Sequence, residues 1–256
     1  MSKRQRFLIS SLLLSLGFVA IQFLDNPLRF PAIGALGIAT IVLFFWSLSE
    51  GLGVNTTLLA LVLPTFFTLG VGIFWFLLPT SIFARIPVVI LYGIGIYVLC
   101  LTANIYTVAA IRTIALLRAG RGVGFVLTLL TSFLIYDAIL SIREGFIVTV
   151  ILTTLLSFPL YLQGLWTVEL ETKASRDLII MASIFSLIMG EISASLFFWP
   201  VTVVVGSLFL TVAVYVLLGL GQSKLEGRLF VATVRDYLIV GILVFIGMFF
   251  ATRWGG

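Results

Sequence analysis

Two carboxyl groups stand inside apolar stretches of the sequence, and they are the side chains best suited to chemistry there. Asp137 follows the run FLIY, and Glu191 lies within SLIMGEISASLFFWP. Acidic residues inside membrane-spanning segments are rare, and by default they mark ion or substrate paths. We therefore predict a binding site for a small solute or an ion near these two acids. Three further polar residues are predicted to contribute to it: Tyr136, Asn104 and Ser195.

The elements that must position these residues are long apolar runs. Of the 256 residues, 61% are hydrophobic and 10% are charged, whereas soluble domains carry about 25% charged residues. Runs of about 20 apolar residues are long enough to cross a bilayer as helices. The sequence thus predicts an all-α fold, a polytopic bundle of transmembrane helices in a single integral membrane domain over residues 1–256. Nine spans are predicted, at 7–24, 30–49, 56–78, 87–111, 123–142, 145–166, 178–198, 201–221 and 236–252.

The distribution of positive charge predicts the direction of these spans. Cytoplasmic loops are enriched in Lys and Arg. With the N-terminus inside, 11 of the 15 basic residues fall on the inner side, and only Arg29, Arg85, Arg143 and Arg253 fall outside. Joining the seventh and eighth spans across residues 199–200 would change the ratio to 9 against 6, so the turn there is kept. We predict that the N-terminus lies inside and the C-terminus outside.

Both acids are predicted to lie in the outer half of the membrane. Asp137 and Glu191 stand five and seven residues from the outer ends of their spans, which places them about 8–11 Å below the helix ends. Glu191 also has a structural alternative. Ser186, Gly190 and Ala194 form a small-residue stripe beside it, along which a second helix can approach closely and share a hydrogen bond. Glu191 would then clamp two helices together.

Hydroxyl side chains recur every four residues in the fifth and sixth predicted spans, so they share one face of each helix. Because the connection between these spans is very short, the two helices are expected to be antiparallel neighbours. Their hydroxyl stripes either pack together or line a wet path, and packing is the commoner outcome. The residues concerned are Thr128, Ser132 and Tyr136 in one span, and Thr149, Thr153 and Ser157 in the other.

The segment QSKLEGRLFVATVRDY carries three cations at steps of four and seven residues, a spacing that would put them on one helical stripe. A basic stripe beside a bilayer attracts anionic lipid headgroups by about 1 kcal/mol per charge. We predict that Lys224, Arg228 and Arg235 contact anionic lipid headgroups on the cytoplasmic side of the lipid bilayer. A plain solvated connector is the alternative interpretation.

The composition also excludes several kinds of site. The chain has no histidine, which removes His-ligated metal sites and Ser-His triads, and its one cysteine, Cys100, has no partner for an intrachain disulfide. The net charge of +5 is spread over predicted inner loops, so membrane orientation explains it better than nucleic acid does. We expect no metal, no cofactor and no nucleic-acid partner, and the sequence indicates no particular protein partner.

The C-terminal part of the chain resembles a known group of proteins. From Glu191 the sequence runs through an FFWP turn and the apolar helix TVAVYVLLGL to ATRW. This arrangement resembles uncharacterised multi-pass inner-membrane proteins of candidate-phylum bacteria. The resemblance implies a location in the bacterial inner membrane, and it implies no activity and no catalytic residues.

Three functions are compatible with these patterns. The first is permease-like transport of a small solute, ion or lipid through a site near Asp137 and Glu191. The second is a non-enzymatic scaffold or assembly subunit in which Glu191 joins helices. The third is an enzyme acting on lipid-linked substrates, which the few and scattered acids and bases of the loops disfavour. Transport is our main hypothesis, and we expect no enzymatic activity.

Overall fold

The structure, a computed structural model, describes residues 2–21, 23–24, 26–48, 54–78, 82–110, 115–170 and 174–252. Within these residues the chain forms nine α-helices and no β-strand. Each of these helices is long and apolar enough to cross a membrane. The predicted all-α chain with nine apolar helices is thus confirmed, whereas the orientation of its termini stays a prediction. The helices are α1 (Lys3–Ile21), α2 (Asn26–Leu48), α3 (Val54–Leu77), α4 (Ile82–Ala109), α5 (Leu117–Ile142), α6 (Phe146–Glu169), α7 (Arg176–Phe197), α8 (Val203–Leu225) and α9 (Val231–Ala251).

Local interactions explain where several of these helices begin and end. The hydroxyl of Ser175 accepts a hydrogen bond of 3.3 Å from the backbone N–H of Leu178, and Thr202 accepts one of 3.4 Å from Val205. Such caps satisfy donors that the first turn of α7 and of α8 would otherwise leave free. Between α8 and α9, Gly227 has a φ of 69°, which glycine adopts without steric cost. The chain therefore turns at Gly227 and does not continue as one helix.

The chain separates into two compact units, Met1–Leu127 and Thr128–Gly256. In the first unit α1 contacts α2 and α4, while α3 contacts α2 and α4, so four helices enclose a common core. Tyr92 lies in this core: its ring is stacked 4.9 Å from that of Phe18, and its hydroxyl is 3.1 Å from Thr68 Oγ1. The single membrane domain predicted for the whole chain stays a prediction.

In the second unit α6 and α7 form the most extensive helix contact, and α8 contacts α6, α7 and α9. Gly190 of α7 makes the close approach to α6 possible, because a Cβ atom there would overlap Thr154 and lie 3.7 Å from Val150. The predicted small-residue stripe therefore does bring a second helix close. The end of α5 that belongs to this unit is joined to α6 and α8 by side-chain hydrogen bonds.

The last helix, α9, has a largely exposed apolar surface. Among its side chains only Met248 is buried, whereas Ile242, Leu243 and Phe250 are among the exposed ones. In a bilayer this surface can face hydrocarbon tails, which are as apolar as leucine. Apolar residues at the surface of these helices are thus consistent with a lipid environment.

Candidate functional site

The centre of the candidate site is Asp137, a carboxylate buried within the second unit. Its side chain is 4% exposed, and fully buried Ser207 of α8 donates a hydrogen bond of 3.4 Å to its Oδ1. The Ser207 hydroxyl also lies 3.0 Å from the carbonyl oxygen of Val204, so its one proton serves two acceptors. In the described part of the chain no other donor reaches Asp137. Since a carboxylate has about four acceptor positions, Asp137 keeps spare capacity for a donor.

An open pocket of about 600 Å³ lies one helical turn from Asp137, within the usual size range of small-molecule sites. The pocket opens at the end of the unit where α5 connects to α6 and α7 connects to α8. We call this end the Arg143 end and the pocket the Arg143 pocket. Leu140 and Val203 line it, three and four residues from Asp137 and Ser207 respectively. Residues at these spacings share a helix face, so Asp137 and Ser207 lie about 5 Å deeper in the unit than Leu140 and Val203 do.

The rim of the Arg143 pocket carries charges of both signs. Arg143 and Glu144 line it, are exposed, and form no ion pair with any residue that the structure describes. Two hydroxyl residues, Thr149 and Thr202, also line the pocket. The arrangement offers a cation, an anion and hydroxyl groups above an apolar wall.

Arg143 adopts a backbone conformation that glycine usually supplies. It follows the last residue of α5 and has a φ of 52°, in the left-handed region that commonly ends helices. For a residue with a Cβ atom this conformation costs about 1–2 kcal/mol. A charged side chain therefore occupies the pocket rim at a position where glycine would be less strained.

Hydroxyl groups connect the helices around Asp137. Tyr136 Oη lies 2.8 Å from Ser157 Oγ across the α5–α6 contact, and Thr153 Oγ1 lies 3.1 Å from Ser193 Oγ across the α6–α7 contact. All four side chains are fully buried. One hydroxyl of each predicted stripe, Tyr136 of α5 and Ser157 of α6, is thus in contact, while Thr153 of the α6 stripe bonds to α7 instead; packing of the two whole stripes against each other stays a prediction.

Glu191 does not share the site of Asp137. It lies on the exposed side of α7 in one stripe with Ile184, Leu187 and Ser195, whereas Asp137 is buried. The Glu191 carboxylate bonds to no described residue, and the Ser195 hydroxyl donates to the Glu191 backbone carbonyl at 3.0 Å. The expectation of one site containing both acids is corrected here, because α7 is apolar on both sides and its inward face is the one that carries Gly190. The alternative, in which the Glu191 side chain clamps two helices, is likewise not seen among the residues that the structure describes.

Asn104 lies in α4, in the first unit, and is half-buried. Its Oδ1 atom is buried without a hydrogen-bond partner among the described residues, while its backbone carbonyl accepts a bond of 2.9 Å from Thr107. Its predicted part in a solute site stays a prediction.

The three cations predicted to share a stripe do not lie on one helix. Lys224 is in the last turn of α8, Arg228 is in the turn after Gly227, and Arg235 is in α9. Arg228 lies 3.8 Å from Glu226 and Arg235 lies 3.7 Å from its neighbour Asp236, both at exposed positions. The single stripe is therefore wrong, because the glycine turn interrupts the helix. Contact with anionic headgroups stays a prediction.

Sequence reasoning missed Ser207 and Thr202, which help to form the site. Ser207 stands alone between the apolar stretches VVVG and LFL. A single hydroxyl residue in such surroundings often bonds to a neighbouring helix, and this signal could have pointed to Ser207 as a partner for an intramembrane acid.

Comparison with known proteins adds a family and no activity. Residues 30–251 match a family described as "Protein of unknown function (DUF5656)". The chain belongs to this family. The match includes most of α2 and all of α3 to α9, and so contains the Asp137 site and Glu191. No curated protein and no solved structure matches the chain. The resemblance to candidate-phylum proteins stays a prediction.

Proposed function

We propose that this multi-pass membrane protein is a permease-like protein that binds a small solute in the Arg143 pocket and passes it towards Asp137. The observation that carries the proposal is the position of Asp137, a buried carboxylate with spare acceptor capacity one turn below an open pocket. A carboxylate inside a membrane span is costly to insert, by about 3 kcal/mol. The one long hydrogen bond from Ser207 offsets little of this insertion cost. A functional role for Asp137 is therefore favoured.

The pocket rim favours a small zwitterion as the solute. Arg143 presents a planar guanidinium that suits a carboxylate, and Glu144 beside it suits an ammonium group. An amino acid carries both groups within one small molecule. Once the solute moves one turn deeper, its ammonium group would meet the free acceptor positions of Asp137.

We propose that the protein carries this solute without transforming it. The two hydroxyl residues of the pocket serve the backbone: Thr149 donates to the carbonyl of Gly145 at 3.4 Å, and Thr202 caps α8. Neither has a described base within hydrogen-bonding distance that could activate it as a nucleophile. This lining supports binding rather than covalent catalysis.

The proposal is tested with purified protein and the twenty common amino acids. Thermal unfolding is measured with each amino acid, and any that stabilises the protein is then tested for uptake into proteoliposomes. We expect at least one to raise the unfolding temperature and to be taken up, and Asp137→Asn to abolish uptake. Asp236→Asn is the matched control, because Asp236 is an exposed acid at the start of α9.

Two results would contradict the proposal. One is a set of twenty amino acids that neither stabilise the protein nor enter proteoliposomes. The other is uptake that Asp137→Asn leaves at the level of Asp236→Asn, since Asp137 would then have no part in it.

We also propose that the protein resides in the bacterial inner membrane, with the Arg143 end facing outward. The excess of basic residues on the opposite side supports this direction, with 11 of 15 predicted inside. In that orientation the pocket would receive solute from outside the cell.

A second candidate function, that of an assembly subunit, is favoured by the position of Glu191. This carboxylate is exposed in the outer part of an apolar helix, and no described residue bonds to it. Leaving it in hydrocarbon is costly, and a partner's membrane-spanning helix with a hydroxyl, amide or basic side chain would remove that cost. On this proposal the stripe of Ile184, Leu187, Glu191 and Ser195 is the contact surface.

A further inference from the structure

A second concave surface lies at the opposite end of the same unit, where the sequence predicts headgroup contact for Lys224 and no binding site. It is an open groove of about 570 Å³ between α7 and α8, which we call the Lys224 groove. Its walls are mostly apolar: Ile180 and Ile184 come from α7, Leu220 and Leu225 from α8, and Leu229 from the turn that follows.

The close approach of three helices at Gly221 forms the floor of the Lys224 groove. A Cβ atom at Gly221 would lie 2.7 Å from Cε2 of Phe185 and 2.8 Å from Cδ2 of Leu165. Because glycine has no side chain, the ring of Phe185 can lie against α8 at the base of the groove. The groove is thus an indentation between packed helices.

Two opposite charges stand at the mouth of the groove. Asp177 belongs to the first turn of α7 and Lys224 to the last turn of α8, so each also has a favourable position relative to its helix dipole. Both are exposed, and neither forms an ion pair with the other or with a described residue. A ligand that carries a negative and a positive group could therefore bridge them.

We propose that the Lys224 groove binds one phospholipid whose headgroup carries both a phosphate and a primary ammonium group, as in phosphatidylethanolamine. The acyl chain lies along the apolar walls, the phosphate contacts Lys224, and the ammonium group contacts Asp177. From Asp177 to Ile184 the groove follows about 10 Å of helix, which accommodates the upper part of an acyl chain. This site is independent of the solute proposed for the Arg143 pocket.

The position of the groove and the character of its mouth distinguish a lipid from other ligands. The walls belong to helices that are apolar enough to span a membrane, and the charges stand near the ends of those helices, at headgroup depth. Arg228 and Arg235, by contrast, each lie beside an acid of their own. Lys224 is the one cation among the described residues that line the groove, and it is therefore the side chain that can contact a phosphate there.

The test measures which lipids the full-length protein retains. The protein is incorporated into nanodiscs made from equal parts of phosphatidylethanolamine, phosphatidylglycerol and phosphatidylcholine, and bound lipid is identified by native mass spectrometry. We expect phosphatidylethanolamine to be enriched. Lys224→Gln should lower the retention of all three phospholipids about fivefold, because each loses one phosphate contact. Asp177→Asn should lower the retention of phosphatidylethanolamine most, because only this lipid has a primary ammonium group that can donate a hydrogen bond to Asp177.

Two further variants make the result specific to the groove. Arg235→Gln removes an exposed cation that lies beside Asp236 and does not line the groove, so it should lower lipid retention less than Lys224→Gln does. Ile184→Trp, at a position 49% exposed on the groove wall, should displace the acyl chain and reduce the retention of all three lipids. Equal retention of the three lipids by the unmodified protein would overturn the proposal. So would equal effects of Lys224→Gln and Arg235→Gln, or full retention by Ile184→Trp.

Discussion

Ser207 on α8 donates a hydrogen bond of 3.4 Å to Asp137 on α5, and both side chains are buried in the second unit. The bond is long, and its proton is shared with the carbonyl of Val204, so it only partly satisfies the carboxylate. Tyr136, one residue earlier, makes a shorter bond of 2.8 Å to Ser157. The two neighbouring residues on α5 thus differ. The hydroxyl of Tyr136 makes a short hydrogen bond to an adjacent helix, whereas the carboxylate of Asp137 keeps free acceptor positions.

The bond between Tyr136 and Ser157 is expected to stabilise the contact of α5 with α6. We predict that a double-mutant cycle of Tyr136→Phe and Ser157→Ala gives a coupling energy of about 0.6 kcal/mol, and at most about 1.7 kcal/mol, as found for hydrogen bonds between membrane helices. The free energy of unfolding in mixed micelles provides the measurement. A coupling of zero would mean that the two hydroxyls do not interact.

Gly190 is expected to be indispensable for the contact between α6 and α7. In Gly190→Ala the new methyl group would overlap Thr154, whose Oγ1 is fixed by a bond of 2.9 Å to the carbonyl of Val150. We predict a loss of about 1–3 kcal/mol in the free energy of unfolding. Gly247→Ala in α9 is the control and should cost nothing, because nothing lies within 4 Å of its Cβ position. Equal stability of both variants would refute this assignment.

Arg143→Gly is expected to separate stability from binding. Glycine relieves the left-handed backbone at a φ of 52°, so the free energy of unfolding should rise by about 1 kcal/mol or stay unchanged. The same variant removes the cation of the Arg143 pocket, so the thermal stabilisation by an amino acid should disappear. If stabilisation by the amino acid survives, Arg143 does not contact the solute.

Glu191→Leu tests whether a partner covers the exposed carboxylate. In the purified single chain the variant should be as stable as the unmodified protein or more stable, by up to about 3 kcal/mol, because no hydrogen bond or ion pair with a described residue is lost. In cells, a Cys100→Ala, Ser195→Cys variant should cross-link to a second chain, and adding Glu191→Leu should abolish that product.

The control for this experiment is Ile151→Cys, an exposed position at similar depth on α6. It should give no product that depends on Glu191. A purified Glu191→Leu protein that unfolds more easily would contradict the exposed position of this residue. A cross-link that persists in Glu191→Leu would exclude the proposed contact.

The sequence predicts the helices well because each apolar run satisfies its own backbone hydrogen bonds in a membrane. Even the short turn between α7 and α8 follows from the charge count on either side of residues 199–200. The direction of individual side chains is harder to predict. In a soluble helix an apolar face turns inward, whereas α7 is apolar on the lipid side as well, so nothing in its pattern shows that Glu191 faces outward.

The candidate site could be predicted only in part for the same reason. Asp137 is recognisable as an acid within a span, but its partner Ser207 lies 70 residues away, and only the packing of α5 against α8 brings them together. The prediction that three cations share one helical stripe is wrong because of one local feature of the backbone. Gly227 adopts a positive φ and ends the helix, and a glycine directly after a helix is a known signal for such a turn.

The most direct test of the account asks whether solute from the Arg143 end can reach Asp137. In a Cys100→Ala background, single cysteines are placed along α8 at Val203, Ser207 and Leu210, and a small, membrane-impermeant thiol reagent is applied to the folded protein. Val203→Cys should react fast, Ser207→Cys should react more slowly, and Leu210→Cys, another turn deeper and fully buried, should not react. An amino acid that binds should slow the reaction at Ser207→Cys. If Ser207→Cys reacts only after denaturation, the Asp137 region is closed to solute, and the permease proposal is contradicted.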